Sequence, residues 1–150
     1  TKREIRYRNT ALNGVFYYDS NEMSEAQKIS ELGPLGFEEY CREHVKKLGY
    51  EVKTCQNYDG GIDIRAMKVL DNLDTEYLIV QCKHWKKPIP PNEMRAFKTA
   101  CDEEHSDYKK VKMFITSSRF SPSARELANK HNIIMIDGDD LISRKENNGS

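Results

Sequence analysis

The sequence lacks several features that would assign it to a class of protein directly. No apolar run approaches the roughly 18 residues of a membrane span, and no signal peptide is visible. The chain starts at Thr1, so a fragment of a longer protein is expected. No C-x-x-C pair occurs among the four cysteines, Cys41, Cys55, Cys82 and Cys101. We therefore expect free thiols in a reducing compartment, the cytoplasm or nucleus, rather than disulfides or zinc.

An excess of one charge is also absent. The 24 basic residues are balanced by 24 acidic residues, so no overall positive field indicates a nucleic-acid partner. Such a partner would have to be bound by local clusters of charge. The 150 residues predict one domain, large enough to bury roughly 68–70% of its unfolded surface.

The most informative stretch is a glycine turn followed by two strands. Residues 59–61 read Asp-Gly-Gly, which predicts a tight turn, and the next residues alternate in polarity around Asp63. A second alternating run carries Gln81 and Lys83, which must share one face of a strand. A hairpin centred near Asn72 would place Asp63 opposite Gln81, with Cβ atoms about 4.5–5.5 Å apart. An acid, an amide and an ammonium would then converge on one patch.

A helix is predicted over residues 34–48, before this hairpin. Its apolar stripe is formed by Phe37, Cys41, Val45 and Leu48. At about 100° per residue, Glu38 borders the stripe, whereas Glu39 points to water. Glu38 can therefore reach the interior, although a carboxylate near a helix N-terminus needs no function.

The remaining pattern predicts an α/β fold. The order of elements is helix, three strands, helix, strand, helix, strand, and strands separated by helices pair in parallel. We expect a mixed sheet flanked by helices. The predicted elements after the hairpin are a helix from 92, a strand over 111–116, a helix from 121, a buried strand over 133–136 and one last helical turn. The predicted organisation is an N-terminal arm or linker (1–33, with a short strand near 15–18), a domain (34–142) and a frayed polar tail (143–150).

A basic cluster with one aromatic residue follows the second strand of the hairpin. Basic side chains can contact the phosphate backbone, and an aromatic ring can lie beside them; the alternative is a solvated loop with a partly buried tryptophan. Lys109 and Lys110 are weaker candidates for the same surface. The predicted nucleic-acid-binding residues are His84, Trp85, Lys86, Lys87 and Arg119.

Together these residue types favour metal-assisted hydrolysis of a phosphodiester. Hard oxygen ligands hold Mg²⁺, which polarises the phosphate and activates a water. A lysine can orient or deprotonate that water, or neutralise the charge that develops on the phosphate. Each piece is common alone, and only their combination points to a site.

At these positions the chain resembles the PD-(D/E)XK nuclease superfamily, and within it the Mrr-like restriction endonuclease catalytic domain. The resemblance covers roughly residues 34–142 and implies an αβββαβ core. It is carried by Gly36-Phe37-Glu38, Leu48-Gly49-Tyr50, Asp59-Gly60-Gly61-Ile62-Asp63, Val80-Gln81-Cys82-Lys83, Phe114-Ile115-Thr116, Phe120-Ser121, Ala124 and Ile136-Asp137-Gly138.

The resemblance also implies roles for four residues. Asp63 would be the principal metal ligand, Gln81 a ligand or a positioning group, Lys83 the catalytic lysine and Glu38 a further ligand. It implies a DNA endonuclease that uses Mg²⁺, with Mn²⁺ as a substitute, on double-stranded DNA. The alternative function is a catalytically inactive nucleic-acid-binding or assembly module. The substrate could also be RNA or branched DNA. A homodimer, and further domains or a partner chain, also stay open.

Overall fold

The computed structural model describes residues 2–6, 15–19, 23–53 and 61–148, with side chains for 23–53 and 61–145. The chain divides into two compact units, Thr1–Glu31 and Leu32–Ser150. No helix within the described ranges is long and apolar enough to cross a bilayer. The predicted turn at Asp59 and Gly60, and Cys55, lie outside the described residues.

The first unit contains an antiparallel strand pair and a short helix. Strand β1 (Lys2–Arg6) pairs with β2 (Val15–Asp19), which confirms the predicted strand near 15–18. Helix α1 (Glu25–Ser30) was not predicted. Its start is stabilised by a reciprocal pair of hydrogen bonds between Ser24 and Gln27, both 3.1 Å. The Ser-x-x-Gln spacing is the sequence signal for this capping box.

The second unit is built on a five-stranded mixed sheet in the order β3-β4-β5-β6-β7. The first three strands are antiparallel, whereas β5, β6 and β7 run parallel, as predicted. The elements are α2 (Pro34–Lys47), β3 (Glu51–Lys53), β4 (Ile64–Val69), β5 (Thr75–Lys83), α3 (Pro91–Glu103), β6 (Lys109–Thr116), α4 (Pro122–Lys130), β7 (Ile133–Ile136) and α5 (Gly138–Asn148).

Three helices of this unit begin at a proline or at a capping serine. α2 and α3 each have a proline in the first turn, where its missing N–H costs no hydrogen bond. α4 is capped by Ser121, whose side chain accepts from Ala124 N at 3.1 Å. The N-cap is therefore Ser121, the residue immediately before Pro122.

The core lies on both faces of the central strands. α2 buries Phe37, Cys41 and Val45. On the side of α3 and α4, Phe114 makes edge-to-face contacts with Phe97 and Phe120, both with ring centroids 5.5 Å apart. Such aromatic pairs stabilise the fold beyond the contribution of the apolar area that they bury. This packing fixes α2 and α3 against the sheet, and with them any polar side chains at the ends of these helices.

Two lysines on β6 donate hydrogen bonds to backbone carbonyls at the C-terminal ends of α3 and α4. Lys110 Nζ donates to Cys101 O at 2.8 Å, and Lys112 Nζ donates to His131 O at 2.6 Å. These carbonyls lie at helix C-termini, where cations are favoured. Lys109 pairs with Glu76 at the start of β5, and at about 3.3 Å per residue this is roughly 23 Å from Lys83. Lys109 and Lys110 thus lie at the opposite end of the sheet from Lys83.

Two predictions about the C-terminal elements were wrong. The strand over 133–136 was predicted to be continuously buried, but Ile134 is 42% exposed, because β7 forms an edge of the sheet. The final helical turn was predicted to end before a frayed tail from residue 143, but α5 continues to Asn148. Ser143, Arg144 and Lys145 are exposed on this helix, so their polarity indicates a solvent-exposed face rather than the end of the helix.

Candidate active site

The hairpin of β4 and β5 has the predicted register. Ile64 pairs with Val80, and Asp63 N donates to Val80 O at 2.8 Å. Continuing this antiparallel register by one residue places Asp63 beside Gln81. Gly61 precedes them with a φ of +138°, a conformation that favours glycine. Asp63 therefore lies beside Gln81 at the end of the hairpin where β4 begins.

The carboxylate of Asp63 is held through one of its two oxygens. Oδ2 accepts from Cys82 N at 2.8 Å. The Gln81 amide, turned so that its nitrogen faces acceptors, donates to the same Oδ2 at 2.6 Å and to Gly61 O at 3.1 Å. Among the described residues no hydrogen-bond donor engages Oδ1. One oxygen is thus fixed by the protein, and the other remains for a ligand.

Burial raises the pKa of the Asp63 carboxyl above its usual value. The Cys82 N–H bond and the positive charges of Lys83 and Arg42 act in the opposite direction, but they do not offset desolvation. Ionised Asp63 is therefore a carboxylate whose charge the protein compensates only in part, and a bound cation would supply the remainder.

Lys83 ends β5 beside this carboxylate. Its backbone oxygen accepts from Thr116 Oγ1 at 2.9 Å and from Ser117 N at 3.2 Å. Its ammonium Nζ lies 3.7 Å from Glu93 Oε2 and 5.5 Å from the centre of the Trp85 ring. The backbone is thus fixed by β6 and the loop after it, and the side chain is engaged by two groups.

Asp63 and Lys83 line two adjoining clefts. The first, of about 290 Å³, extends towards α3 and is lined by Gly61, Asp63, Gln81, Cys82, Lys83, Glu93, Ala96 and Phe97. The second, of about 280 Å³, extends towards α2 and is lined by Pro34, Phe37, Glu38, Asp63, Cys82, Lys83, His84 and Trp85. The four candidates of the predicted site therefore line two clefts that share Asp63, Cys82 and Lys83.

Glu38 reaches the site from α2, and its neighbour does not. The Glu39 side chain is 58% exposed, whereas that of Glu38 is 18% exposed, as the helical spacing predicts. Glu38 Oε1 accepts from Arg42 Nη2 at 2.8 Å, one turn along the helix. Glu38 therefore lies at the cleft as half of an ion pair.

The basic loop after β5 is tied to the loop after β6. Ile89 N donates to Arg119 O at 2.8 Å, and the Ser117 hydroxyl donates to Trp85 O at 3.3 Å. Lys86 and Arg119 are exposed on this pair of loops. The basic side chains are therefore presented by a backbone that two hydrogen-bonded loops stabilise.

The two aromatic residues of this loop, His84 and Trp85, both make contacts within the protein. The His84 ring stacks on Phe37 with centroids 4.8 Å apart. Its Nδ1 lies 2.6 Å from Ser117 Oγ, and its Nε2 donates to Leu32 O at 2.8 Å. Lys87 is exposed, with Nζ 5.0 Å from the centre of the half-buried Trp85 ring. Both nitrogens of His84 are engaged within the protein, whereas the lysine can reach a partner.

Sequence reasoning missed Glu93. This residue lies in the first turn of α3, and its carboxylate faces the same cleft as Asp63 and Lys83. The available signal was an acid in the first turn of the helix that directly follows the lysine strand. Only the packing of α3 on the sheet shows that this turn lies over the end of β5.

The oxygen donors at the cleft suit a hard divalent cation. Asp63 presents a partly compensated carboxylate whose Oδ1 accepts no hydrogen bond from the described residues, and Glu38 lines the adjoining cleft. Within the described part of the chain, no three His, Cys, Asp or Glu side chains are already grouped around a common point. In this described part, Asp63 and Glu38 are thus two carboxylates at adjoining clefts and not part of a preassembled three-ligand site.

Two solved structures have a similar fold. One is the MspJI restriction endonuclease in complex with a 27-mer oligonucleotide, with a TM-score of 0.52, 16% identity and coverage of 70% of this chain and 25% of that chain. The other is the DNA modification-dependent restriction endonuclease AspBHI, with a TM-score of 0.57, 15% identity and coverage of 89% and 39%. This chain thus spans less than half the length of either. Among curated proteins no match is found.

The family comparison gives the assignment. The Mrr_cat family model, described as restriction endonuclease, matches residues 29–144. This range contains the mixed sheet, both clefts and every residue of the candidate site. Members of this family generally use divalent metal ions. The chain belongs to the Mrr-type restriction endonuclease catalytic domain family.

Proposed function

We propose that this domain hydrolyses phosphodiester bonds in double-stranded DNA, with Mg²⁺ as its cofactor and Mn²⁺ as a substitute. One observation carries the proposal: a desolvated carboxylate, Asp63, is fixed through one oxygen in clefts that Lys83 also lines, and the Lys83 charge acts on it. This pairing of an incompletely compensated acid with a lysine is what metal-assisted phosphoryl transfer requires.

The residues that would hold the cation are Asp63 through Oδ1 and Glu38 after it leaves Arg42. Bound Mg²⁺ supplies a Lewis acid that polarises the phosphate and activates a water. Gln81 has two roles open to it, ligand or positioning group, and its hydrogen bonds to Asp63 and Gly61 favour positioning. Removing that amide would free the carboxylate to rotate.

Lys83 supplies positive charge where negative charge develops on the phosphate. Its backbone is fixed by Thr116 and Ser117, so only the four-carbon side chain has to be ordered. An ammonium directed in advance at the developing charge requires little reorganisation during the reaction, which is the main source of electrostatic catalysis.

DNA would be held by the basic loop. Lys86, Lys87 and Arg119 are exposed on the hydrogen-bonded loops that follow β5 and β6, and their charges can neutralise phosphates of the duplex. His84 holds this loop through its contacts with Ser117 and Phe37. Trp85 lines the cleft.

One such site cuts one strand at a time, so we propose that double-strand cleavage requires two copies of the domain. A homodimer would give linear plasmid in a single binding event. A single domain would give nicked circles first. The dependence of the linear product on protein concentration separates these cases.

A second function, DNA binding without cleavage, is favoured by a different observation. Glu38 is occupied by Arg42, and no group of three metal-ligating side chains is assembled in the described residues. In that case the basic loop would bind DNA while the acidic cleft stayed inactive.

The experiment is a plasmid-nicking assay with Mg²⁺ or with EDTA. Wild-type protein is compared with Asp63→Asn, which preserves shape and both hydrogen bonds, and with Asp71→Asn, which removes the same charge from an exposed turn. We expect nicking by wild type and Asp71→Asn only, and only with Mg²⁺. If Asp63→Asn nicks as fast as wild type, the site assignment is wrong; if none nicks but all bind DNA, the binding function replaces it.

A further inference from the structure

We propose that Glu93 is a positioning residue that holds the Lys83 ammonium in the cleft during the reaction. The inference rests on the proposed function, because it concerns the same lysine. Glu93 Oε2 lies 3.7 Å from Lys83 Nζ, and both side chains are 27% exposed. The pair is therefore partly shielded from water, where an ion pair is screened less than on the open surface.

Glu93 is itself rigidly placed. It lies in the first turn of α3, and its N–H donates to Pro90 O at 3.2 Å. The next residue, Met94, and the residue one turn later, Phe97, are fully buried in the core. A carboxylate at this position is also favoured by the helix dipole. The anchor for Lys83 thus belongs to a packed helix and not to a loop.

The lysine needs such an anchor in addition to Asp63. Asp63 attracts Lys83 in the free protein, as the electrostatic contribution of Lys83 to the Asp63 pKa indicates. A divalent cation on Asp63 would reverse this, because it repels the ammonium. Glu93, 3.7 Å from the ammonium, and the Trp85 ring, 5.5 Å away, are then the described groups that retain the lysine beside the phosphate.

The test measures single-turnover cleavage and DNA affinity separately. Glu93→Gln keeps the size of the side chain and removes its charge. We expect its cleavage rate to fall on the order of 10-fold or more, because small displacements of a catalytic group are costly, with DNA affinity changed less than twofold. Glu93→Asp, which keeps the carboxylate, should recover part of the rate. Glu103→Gln, an exposed position on the same helix, should match wild type.

Two further measurements separate positioning from other roles. The Mg²⁺ concentration for half-maximal rate should be unchanged in Glu93→Gln; an increase would make Glu93 a metal ligand and overturn the proposal. An unchanged cleavage rate in Glu93→Gln, or an equal loss in Glu103→Gln, would also overturn it.

The last measurement does not depend on cleavage. The ¹⁵Nζ NMR resonance of Lys83, identified by its loss in Lys83→Ala, should shift in Glu93→Gln as the ammonium is released. If wild type cuts no DNA, the proposed function fails, and this resonance alone decides whether Glu93 holds the lysine. A resonance that Glu93→Gln leaves unmoved would overturn the inference in either case.

Discussion

Gly138 is the position where the addition of one methyl group should damage both the fold and the site. A Cβ at this residue would lie 2.3 Å from Ser117 O and 3.0 Å from Ser117 C. Both are backbone atoms, so no side chain can turn away to make room. The Gly138 N–H also donates to Ser118 O at 2.9 Å. In Gly138→Ala the start of α5 must therefore separate from the loop after β6.

The size of the effect follows from these contacts. Overpacking that forces a backbone shift costs about 1–3 kcal/mol, and a lost hydrogen bond costs about 1 kcal/mol more. We expect Gly138→Ala to lower the free energy of unfolding by roughly 2–4 kcal/mol. For a domain of this size that corresponds to a fall in Tm of roughly 4–16 °C.

Urea unfolding can be followed through the fluorescence of Trp85, the single tryptophan. The midpoint should fall with little change in slope. Gly33→Ala is the control, because nothing lies within 4 Å of the added methyl group and the loss of chain entropy in the unfolded state offsets the weaker N-cap. It should stay within about 0.5 kcal/mol of wild type. If Gly138→Ala does so too, α5 can move freely and the steric reasoning is refuted.

Three further predictions concern the site. Lys83→Ala should abolish cleavage yet leave DNA affinity nearly unchanged in a binding assay, because its contact is made in the transition state; Lys83→Arg should recover little. Neutralising Lys86 and Lys87 together should weaken binding to all sequences and reduce the slope of log K against log salt by about 1.8. In EDTA, Asp63→Asn should melt above wild type, and the gap should widen as pH rises from about 4. Burial raises the folded pKa of Asp63, so the stability that its protonated form supplies is lost as pH increases through that value.

Each of these predictions has a matched control. Lys109→Ala removes an exposed lysine from the opposite end of the sheet and should leave cleavage intact. Neutralising Lys46 and Lys47, an adjacent exposed pair at the end of α2, should leave the salt slope unchanged. Asp71→Asn should melt like wild type across the pH range. Equal effects in a variant and its control would mean that overall charge, and not the site, is responsible.

Much of the site could be predicted because it depends on local periodicity. Strand alternation placed Gln81 and Lys83 on one face, and the loop length centred the hairpin so that Asp63 came beside Gln81. The helical repeat separated Glu38 from Glu39 by their angle to the apolar stripe. These relations are fixed by neighbours a few residues apart, or by one turn, and the structure has them as predicted.

What could not be predicted depends on contacts between distant segments. The ion pair of Glu93 with Lys83 exists because α3 crosses over the sheet and packs Phe97 against Phe114. The fixing of His84 depends on Ser117, 33 residues later. A sequence read in windows contains no information on which side chains such packing brings together.

The sequence by itself determined the order of the elements from α2 onward, the register of the hairpin and the placement of the acid, amide and lysine near one end of it. Tertiary structure alone decided the surroundings: the burial that raises the pKa of Asp63, the Arg42 partner of Glu38 and the Glu93 partner of Lys83. The physical reason is that periodicity fixes the direction of a side chain, whereas its charge environment depends on how helices and strands from the whole chain pack around it.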